Sequence, residues 1–172
     1  MEWQKDTIKE VYERNFSEIY RLCYLYMRNR EEALDMVQEV FMRLLKQKED
    51  SFQDQAHIDA WLRVTACNRC KDELRCWWKR KRTDLEDLEF WHHAKQKQES
   101  EAEKEKSRLL LSLILELPEK YRVLIYFHYY EGYTMEELGE WMHSNPSTLR
   151  SRLAAGKKLL KEKCREAGIY ER

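Results

Sequence analysis

Apolar residues recur at three- and four-residue spacings along most of this chain, which is the periodicity of helices. Between residues 5 and 28, Ile8, Val11, Tyr12, Ile19, Leu22 and Cys23 predict an amphipathic helix. Asn29, with Glu31 and Glu32 behind it, forms a cap for a second helix. Its apolar face, Leu34, Val37, Phe41, Leu44 and Leu45, carries it to residue 48. The polar run EDSFQDQAH, residues 49–57, reads as a loop. A third helix is predicted from Ile58 to about Arg82. Its first half is apolar (Ile58, Trp61, Leu62). Its second half is basic: Arg69, Lys71 and Arg75, then Lys79, Arg80, Lys81 and Arg82 just after Trp77 and Trp78.

Residues 84–107 have few aliphatic side chains beyond Leu85 and Leu88 and read as a polar tether, part helical from Glu99 onward. A second module begins near Lys106, where LLLSLILEL predicts an apolar helix closed by Pro118. Residues 119–130 form another helix, and Gly132 permits a turn. Thr134 and Glu137 then match a capping box, in which hydroxyl and carboxylate satisfy reciprocal backbone donors. That helix is short and ends near Met142. Asn145 and Pro146 open the last one as cap and first helical residue, and it runs to about Glu166. The expected fold is all-α: two small helical domains, 1–83 and 108–172, joined by a linker at 84–107, with a helix-turn-helix in the second.

Composition agrees. Four Gly and two Pro in 172 residues are too few for the turns of sandwiches, barrels or doubly wound sheets. No apolar run approaches the ~18 residues of a membrane span, and the charged N-terminus MEWQKDTIKEVYERNF lacks the apolar stretch of a signal peptide. A cytoplasmic protein without membrane insertion is expected. Five cysteines, an odd number, suit reduced thiols rather than a disulfide framework. The formal charge is zero, which argues against a nucleic-acid partner only if charge is spread evenly. It is not: residues 1–83 carry 17 basic and 15 acidic side chains, residues 84–107 carry 4 and 8, and residues 108–172 carry 11 and 9.

Helix, short turn and a second helix with a polar first half is the outline of a DNA-binding helix-turn-helix. At 100° per residue Leu149, Leu153 and Leu160 share one side of the last helix. Ser147, Ser151, Ala154 and Lys158 take the other, with Arg150 and Ala155 flanking. Small polar residues and an Arg near a helix start can reach base edges in a major groove, with Lys157, Lys158 and Lys161 where phosphates run. A solvated helix face has the same pattern. The Thr cap, the short helix and the Asn-Pro start favour the DNA reading.

The segment LPEKYRVLIYFHYYEGYTMEELGEWMHSNPSTLRSRLAAGKKLLKE resembles the C-terminal promoter-binding domain of bacterial sigma factors. In the first module EEALDMVQEVFMRLLKQ resembles the helix that docks a sigma factor on RNA polymerase. AWLRVTACNRCKDELR, with the basic run after it, is similar to the promoter-melting helix. Two domains and a short linker are similar to the extracytoplasmic-function group.

The resemblance implies a partner, core RNA polymerase, contacted at its largest-subunit clamp helices and its flap. The clamp contacts would be Asp35, Gln38, Glu39, Met42 and Arg43, where Asp35 and Glu39 would pair with clamp arginines and Met42 would add apolar contact. It implies promoter DNA as second partner. Asn68, Arg69, Lys71, Asp72 and Arg75 would meet the minus-ten element, and the loop Asp50 to His57 would capture a flipped base with Phe52 as stacking surface. Ser147, Thr148, Arg150, Ser151, Arg152, Lys157 and Lys158 would meet the minus-thirty-five element. An anti-sigma factor is a further implied partner, and the chain is expected to be a monomer. The pattern departs from the family at Ala154 and Ala155, where larger side chains are frequent; two alanines offer a thymine methyl only apolar contact. Cys67 and Cys70 also stand where the family does not usually have cysteine.

No Ser/His/Asp set, Gly-rich phosphate loop or metal motif is evident, so no enzymatic activity, metal or cofactor is expected. Cys67 and Cys70 form a CxxC pair that, with Cys76 and the linker's His92 and His93, invites a zinc reading. Its place inside a helix and the lack of a second CxxC favour structural thiols. Trp77 and Trp78 read as packing residues rather than base-stacking ones, and His128 and His143 as structural. A stand-alone helix-turn-helix regulator and a purely protein-binding adaptor are the competing functions, and neither needs the docking helix.

Overall fold

The structure, a computed structural model, describes residues 5–76 and 100–169. Among the described residues there are seven α-helices and one 3-10 turn: α1 (Lys5–Met27), α2 (Arg30–Leu45), the turn Glu49–Ser51, α3 (Gln55–Cys76), α4 (Glu101–Leu115), α5 (Glu119–Tyr129), α6 (Met135–Met142) and α7 (Pro146–Glu166). The chain divides into two compact units, Met1–Thr83 and Asp84–Arg172. Trp77, Trp78, the basic run Lys79 to Arg82 and the linker histidines His92 and His93 lie outside the described residues.

In the first unit α1, α2 and α3 pack on one another. Val11, Ile19, Leu22 and Leu25 of α1, Ala33, Val40 and Leu44 of α2, and Leu62 and Ala66 of α3 are fully buried. Each large aliphatic among them contributes roughly 1.5–3 kcal/mol relative to exposure. The run Ile19–Met27 is buried on every side, so the second half of α1 is not amphipathic as the spacing predicts. Tyr12, expected on the apolar face, is 43% exposed, and Leu34 and Leu45 of α2 are exposed too. The turn between α1 and α2 is tight. Arg28 adopts a left-handed conformation (φ 57°), and the Asn29 side chain accepts from the Glu32 N–H at 3.0 Å. A polar seam joins α1 to α3: the buried Asn15 amide donates to Asp59 at 2.9 Å, and Arg14 reaches the same carboxylate at 2.8 Å.

α3 begins at Gln55, not at Ile58, because Asp54 caps it: the His57 N–H donates to Asp54 Oδ1 at 2.8 Å and the Ile58 N–H to the Asp54 carbonyl. The expected loop is correspondingly shorter. α4 starts on a capping box of Ser100 and Glu103, close to the helical stretch expected from Glu99, so residues 101–107 are helical. In this second unit Ile114, Leu117 and Ile125 form a core cluster on which Leu153 and Leu160 of α7 pack. Arg122 is buried and its guanidinium donates to the Leu117 carbonyl at 2.8 Å, tying the α4–α5 turn.

Candidate nucleic-acid and partner interfaces

On α2, Asp35, Gln38 and Met42 are exposed and share one stripe at i, i+3 and i+7, with Arg43 beside them. Beside this stripe lies a groove of about 530 Å³ between α1 and α2, walled by Tyr12, Phe16, Leu34 and Leu45. The exposed apolar residues that the core does not use therefore border the predicted docking stripe. They offer a partner apolar contact that the spacing assigned to the interior.

Glu39 belongs to the same stripe but is engaged within the molecule. Arg69 of α3 holds it with one hydrogen bond, Nη2 to Oε2 at 2.8 Å, while its Nε lies 2.7 Å from Oε1 without hydrogen-bond alignment. Arg43 approaches Oε1 from one turn along α2 at 2.9 Å. The hydrogen bond from Arg69 holds the Glu39 carboxyl below its ordinary range against the opposing effect of burial, and the Arg69 guanidinium is shifted upward in return, chiefly by Glu39. Asp72 and Glu73 complete the cluster around Arg69, each at 3.9 Å.

α3 separates its predicted nucleic-acid residues into two sets. Asn68, Lys71, Asp72 and Arg75 fall at i, i+3, i+4 and i+7 and form one stripe. Asn68, Asp72 and Arg75 are exposed on it, and Asp72 pairs loosely with Arg75 at 3.7 Å. Arg69 is rotated off this stripe toward α2, and its side chain is only 20% exposed. Free availability to a DNA phosphate does not hold for Arg69. Phe52, expected as a stacking surface, is half-buried: its ring meets those of His57 and Trp61 edge-on at 5.4 and 5.9 Å. Trp61 stands seven residues before Asn68 and so continues the stripe toward the turn that carries Phe52. The sequence reading passed over it, although the i−7 spacing is its signal.

In the second unit the helix-turn-helix is built by local signals and one tight approach. The capping box of Thr134 and Glu137 opens α6, and Asn145 with Pro146 opens α7. A Cβ added at Gly139 would lie 2.7 Å from the Ser144 carbonyl oxygen and 3.4 Å from the Pro146 ring, so only glycine lets the turn fold back on α6. His143 ends α6 in the left-handed region (φ 51°), where its N–H meets the Gly139 carbonyl. Leu149 is fully buried, which turns Ser147, Thr148, Arg150, Ser151, Ala154 and Ala155 outward to solvent. Arg152 is half-buried. The Ser147 hydroxyl donates to its cap Asn145 at 2.9 Å and the Ser151 hydroxyl to the Ser147 carbonyl at 3.2 Å. With its single proton so used, each hydroxyl presents an acceptor, which suits the amino groups of adenine or cytosine. Arg150 is paired with Glu136 of α6, a residue that the sequence reading missed because the contact spans the turn.

Farther along α7, Lys157, Lys158, Lys161 and Arg165 rim a groove of about 950 Å³ whose floor includes Leu110, Ile114, Ile125 and Leu160. The Lys157 ammonium sits 5.6 Å from the centre of the Tyr129 ring.

Cys67 and Cys70 are both buried. The Tyr26 hydroxyl contacts Cys67 Sγ at 3.0 Å. Burial pushes the Cys67 thiol up, and contact with Cys23, then burial, pushes Cys70 well up. Such thiols are poorly nucleophilic. Among the described residues no group of three or more His, Cys, Asp or Glu side chains is placed to hold a metal ion.

Comparison with known proteins places these features. The family model described as Sigma-70 region 2 matches residues 11–80, and that described as Sigma-70, region 4, matches residues 107–160. The chain is 28% identical over 144 residues to RNA polymerase sigma factor SigV of Bacillus subtilis (strain 168), covering 84% of this chain and 82% of the relative. It is 26% identical over 175 residues to ECF RNA polymerase sigma factor SigW of the same organism, covering 94% and 91%. Its fold is similar to that of the sigma factor RpoE from Bartonella quintana, solved in complex with the anti-sigma factor NepR: the TM-score is 0.64 at 17% identity, covering 92% of this chain and 96% of that one. Two family segments in their expected order, spanning most of a two-unit helical chain, make it a member of the sigma-70 family of RNA polymerase sigma factors, in the extracytoplasmic-function group.

Proposed function

We infer that this chain acts as a sigma factor, binding core RNA polymerase and directing promoter-specific initiation. The observation that carries this is the pairing of two unlike surfaces in one small unit. An exposed α2 stripe bordered by an apolar groove lies beside an α3 stripe of amide and charged side chains. A stand-alone helix-turn-helix regulator has no use for either.

In this reading residues 1–83 form the polymerase-binding and minus-ten half, residues 84–107 the connector, and residues 108–172 the minus-thirty-five half. Asp35, Gln38, Met42 and Arg43 face the clamp helices. Asn68, Lys71, Asp72 and Arg75 face the minus-ten strand, with Phe52 and Trp61 at the flipped base. An extruded base costs a few kcal/mol, which protein contacts and the polymerase must offset; no catalytic side chain is required. Ser147, Thr148, Arg150 and Ser151 read the minus-thirty-five element, with Arg152, Lys157 and Lys158 nearer its backbone. The cation-rimmed groove of α7 fits an amphipathic helix with acidic edges, and we assign it to the polymerase flap. One copy suffices, because two different elements are read by two halves of one chain. No described helix is long and apolar enough to cross a membrane, which accords with work at the chromosome in the cytoplasm. Control by an anti-sigma factor, the partner seen with the Bartonella protein, fits the same exposed faces.

The test is direct binding. Labelled protein titrated with purified core polymerase should give a saturable complex, and Asp35→Arg should weaken it by about tenfold or more, since like charges facing across an interface cost several kcal/mol. Undiminished affinity of the variant rejects the α2 face.

A further inference from the structure

The groove of the second unit combines an apolar floor with a rim of one sign. Leu110 and Ile114 of α4, Ile125 of α5 and Leu160 of α7 line it, and its volume is about 950 Å³. Lys157, Lys158, Lys161 and Arg165 stand along its edge. Among the described residues none of these four cations is in an ion pair, whereas the neighbouring Lys163 is paired with Glu116 at 2.9 Å. An occupant that suits such a groove is apolar on one side and acidic at its edges.

The same unit begins with a segment of that chemistry. Residues 84–91 read DLEDLEFW. Leu85, Leu88 and Trp91 recur at every third position. Asp84, Glu86, Asp87 and Glu89 supply four carboxylates, half of the 8 acidic side chains of residues 84–107, and no basic residue interrupts them. Four carboxylates thus match four cations. The connection is long enough. From the cap Ser100 to Leu110 α4 rises about 15 Å, and residues 92–99 reach about 26 Å when extended. A tether this short holds the segment at an effective concentration on the order of millimolar, so a contact of modest intrinsic strength suffices.

We propose that residues 84–91 dock in the cation-rimmed groove of α7 in the free protein, Leu85, Leu88 and Trp91 against its floor and the four carboxylates against its rim. The segment then occupies the place assigned above to the polymerase flap, and the flap must displace it. Only the open fraction of the chain is competent for the flap, so the apparent affinity for polymerase is lowered by that fraction. This consequence rests on the sigma-factor reading and deepens it; the docking itself does not depend on it.

The experiment treats the free, full-length chain with a carbodiimide, which joins a carboxylate to an amine only at ion-pair range, and maps the links in the monomer band by mass spectrometry. Links from Glu86, Asp87 or Glu89 to Lys157, Lys158 or Lys161 are expected, and they should vanish in Leu88→Ser with Trp91→Ser, which leaves every charge in place. Absence of these links in the wild type, or their survival in the double variant, overturns the docking. The second arm titrates core polymerase with the wild type and the same double variant. The variant should bind about fivefold more tightly or better, the low end for coupled sites. Loss of a direct contact between this segment and polymerase would act in the opposite direction, so unchanged or weaker binding overturns the control of the flap site. A wild-type chain that shows the links and does not bind core polymerase overturns the sigma-factor reading and leaves the docking standing.

Discussion

At Glu39 the carboxylate sits between Arg69 and Arg43, and the hydrogen bond from Arg69 is the main reason that its pKa falls below the ordinary 4.5. A depressed carboxylate contributes stability that is present above the unfolded value and lost as pH falls through the folded value. Glu39→Gln should therefore cost stability near neutral pH, and its deficit against the wild type should shrink as pH drops below about 4.5, as followed by denaturant melts across that range. A deficit independent of pH would mean that the ion pair is not the source. Gly139 makes a different demand. Ser144 carbonyl oxygen lies where a side chain would begin, at 2.7 Å, and backbone cannot step aside as a side-chain tip can. Gly139→Ala should cost about 1–3 kcal/mol, the range for overpacking, in chemical denaturation. His143 carries the opposite prediction. Its left-handed backbone is strained by roughly 1–2 kcal/mol in a residue with a Cβ, and its ring is exposed. His143→Gly should raise the melting temperature of the second unit. The Glu39 and Gly139 effects are not visible in a linear pattern, since each depends on an atom from another turn or helix.

Among the elements, those opened by short-range chemistry were the legible ones. Asn29, Thr134 with Glu137, and Asn145 with Pro146 each act within three residues, and the structure shows each cap where the sequence places it. Replacing Thr134 by Ala should lower stability by about 1 kcal/mol and loosen α6 against the turn, readable as faster amide exchange of the α6 N-terminus; unchanged exchange would show that packing of Trp141 and Leu138 alone holds the helix. Elements defined by tertiary burial were less legible. The run Ile19–Met27 is enclosed on all sides, so no polar face marks its period. Leu34 and Leu45 carry the right spacing for a core but open onto the α1–α2 groove, because spacing records which side of a helix is apolar and not what that side meets. Ser100 and Glu103 form a capping box as plain as that of Thr134. It agrees with the helical stretch expected from Glu99 onward, although the surrounding charge hides the cap itself. The candidate site shows the same division. The stripes of Asn68, Lys71, Asp72 and Arg75 and of Asp35, Gln38 and Met42 follow from helical spacing alone. The diversion of Arg69 to Glu39 and of Arg150 to Glu136 needs the folded chain.

For the whole molecule, the zero net charge conceals a division of labour. Acidic side chains concentrate in residues 84–107, and basic ones rim the second half of α7. Arg150 is held by Glu136 and Arg69 by Glu39. In the proposed reading, arginines paired in this way should leave the chain binding promoters weakly alone and strongly with polymerase, which supplies both affinity and the opened strand. Arg150→Ala should reduce discrimination for the preferred minus-thirty-five sequence by about 1–3 kcal/mol, less what the exposed pair with Glu136 costs to open, about 0–1 kcal/mol; competition between promoter variants measures it. The most direct test of the whole account is transcription in vitro from a genomic promoter library by purified core polymerase, with and without this protein. The account predicts new transcripts that start at a small set of sites sharing spaced minus-thirty-five and minus-ten elements, and only when the protein is present. Transcription that is the same with and without it would contradict the account.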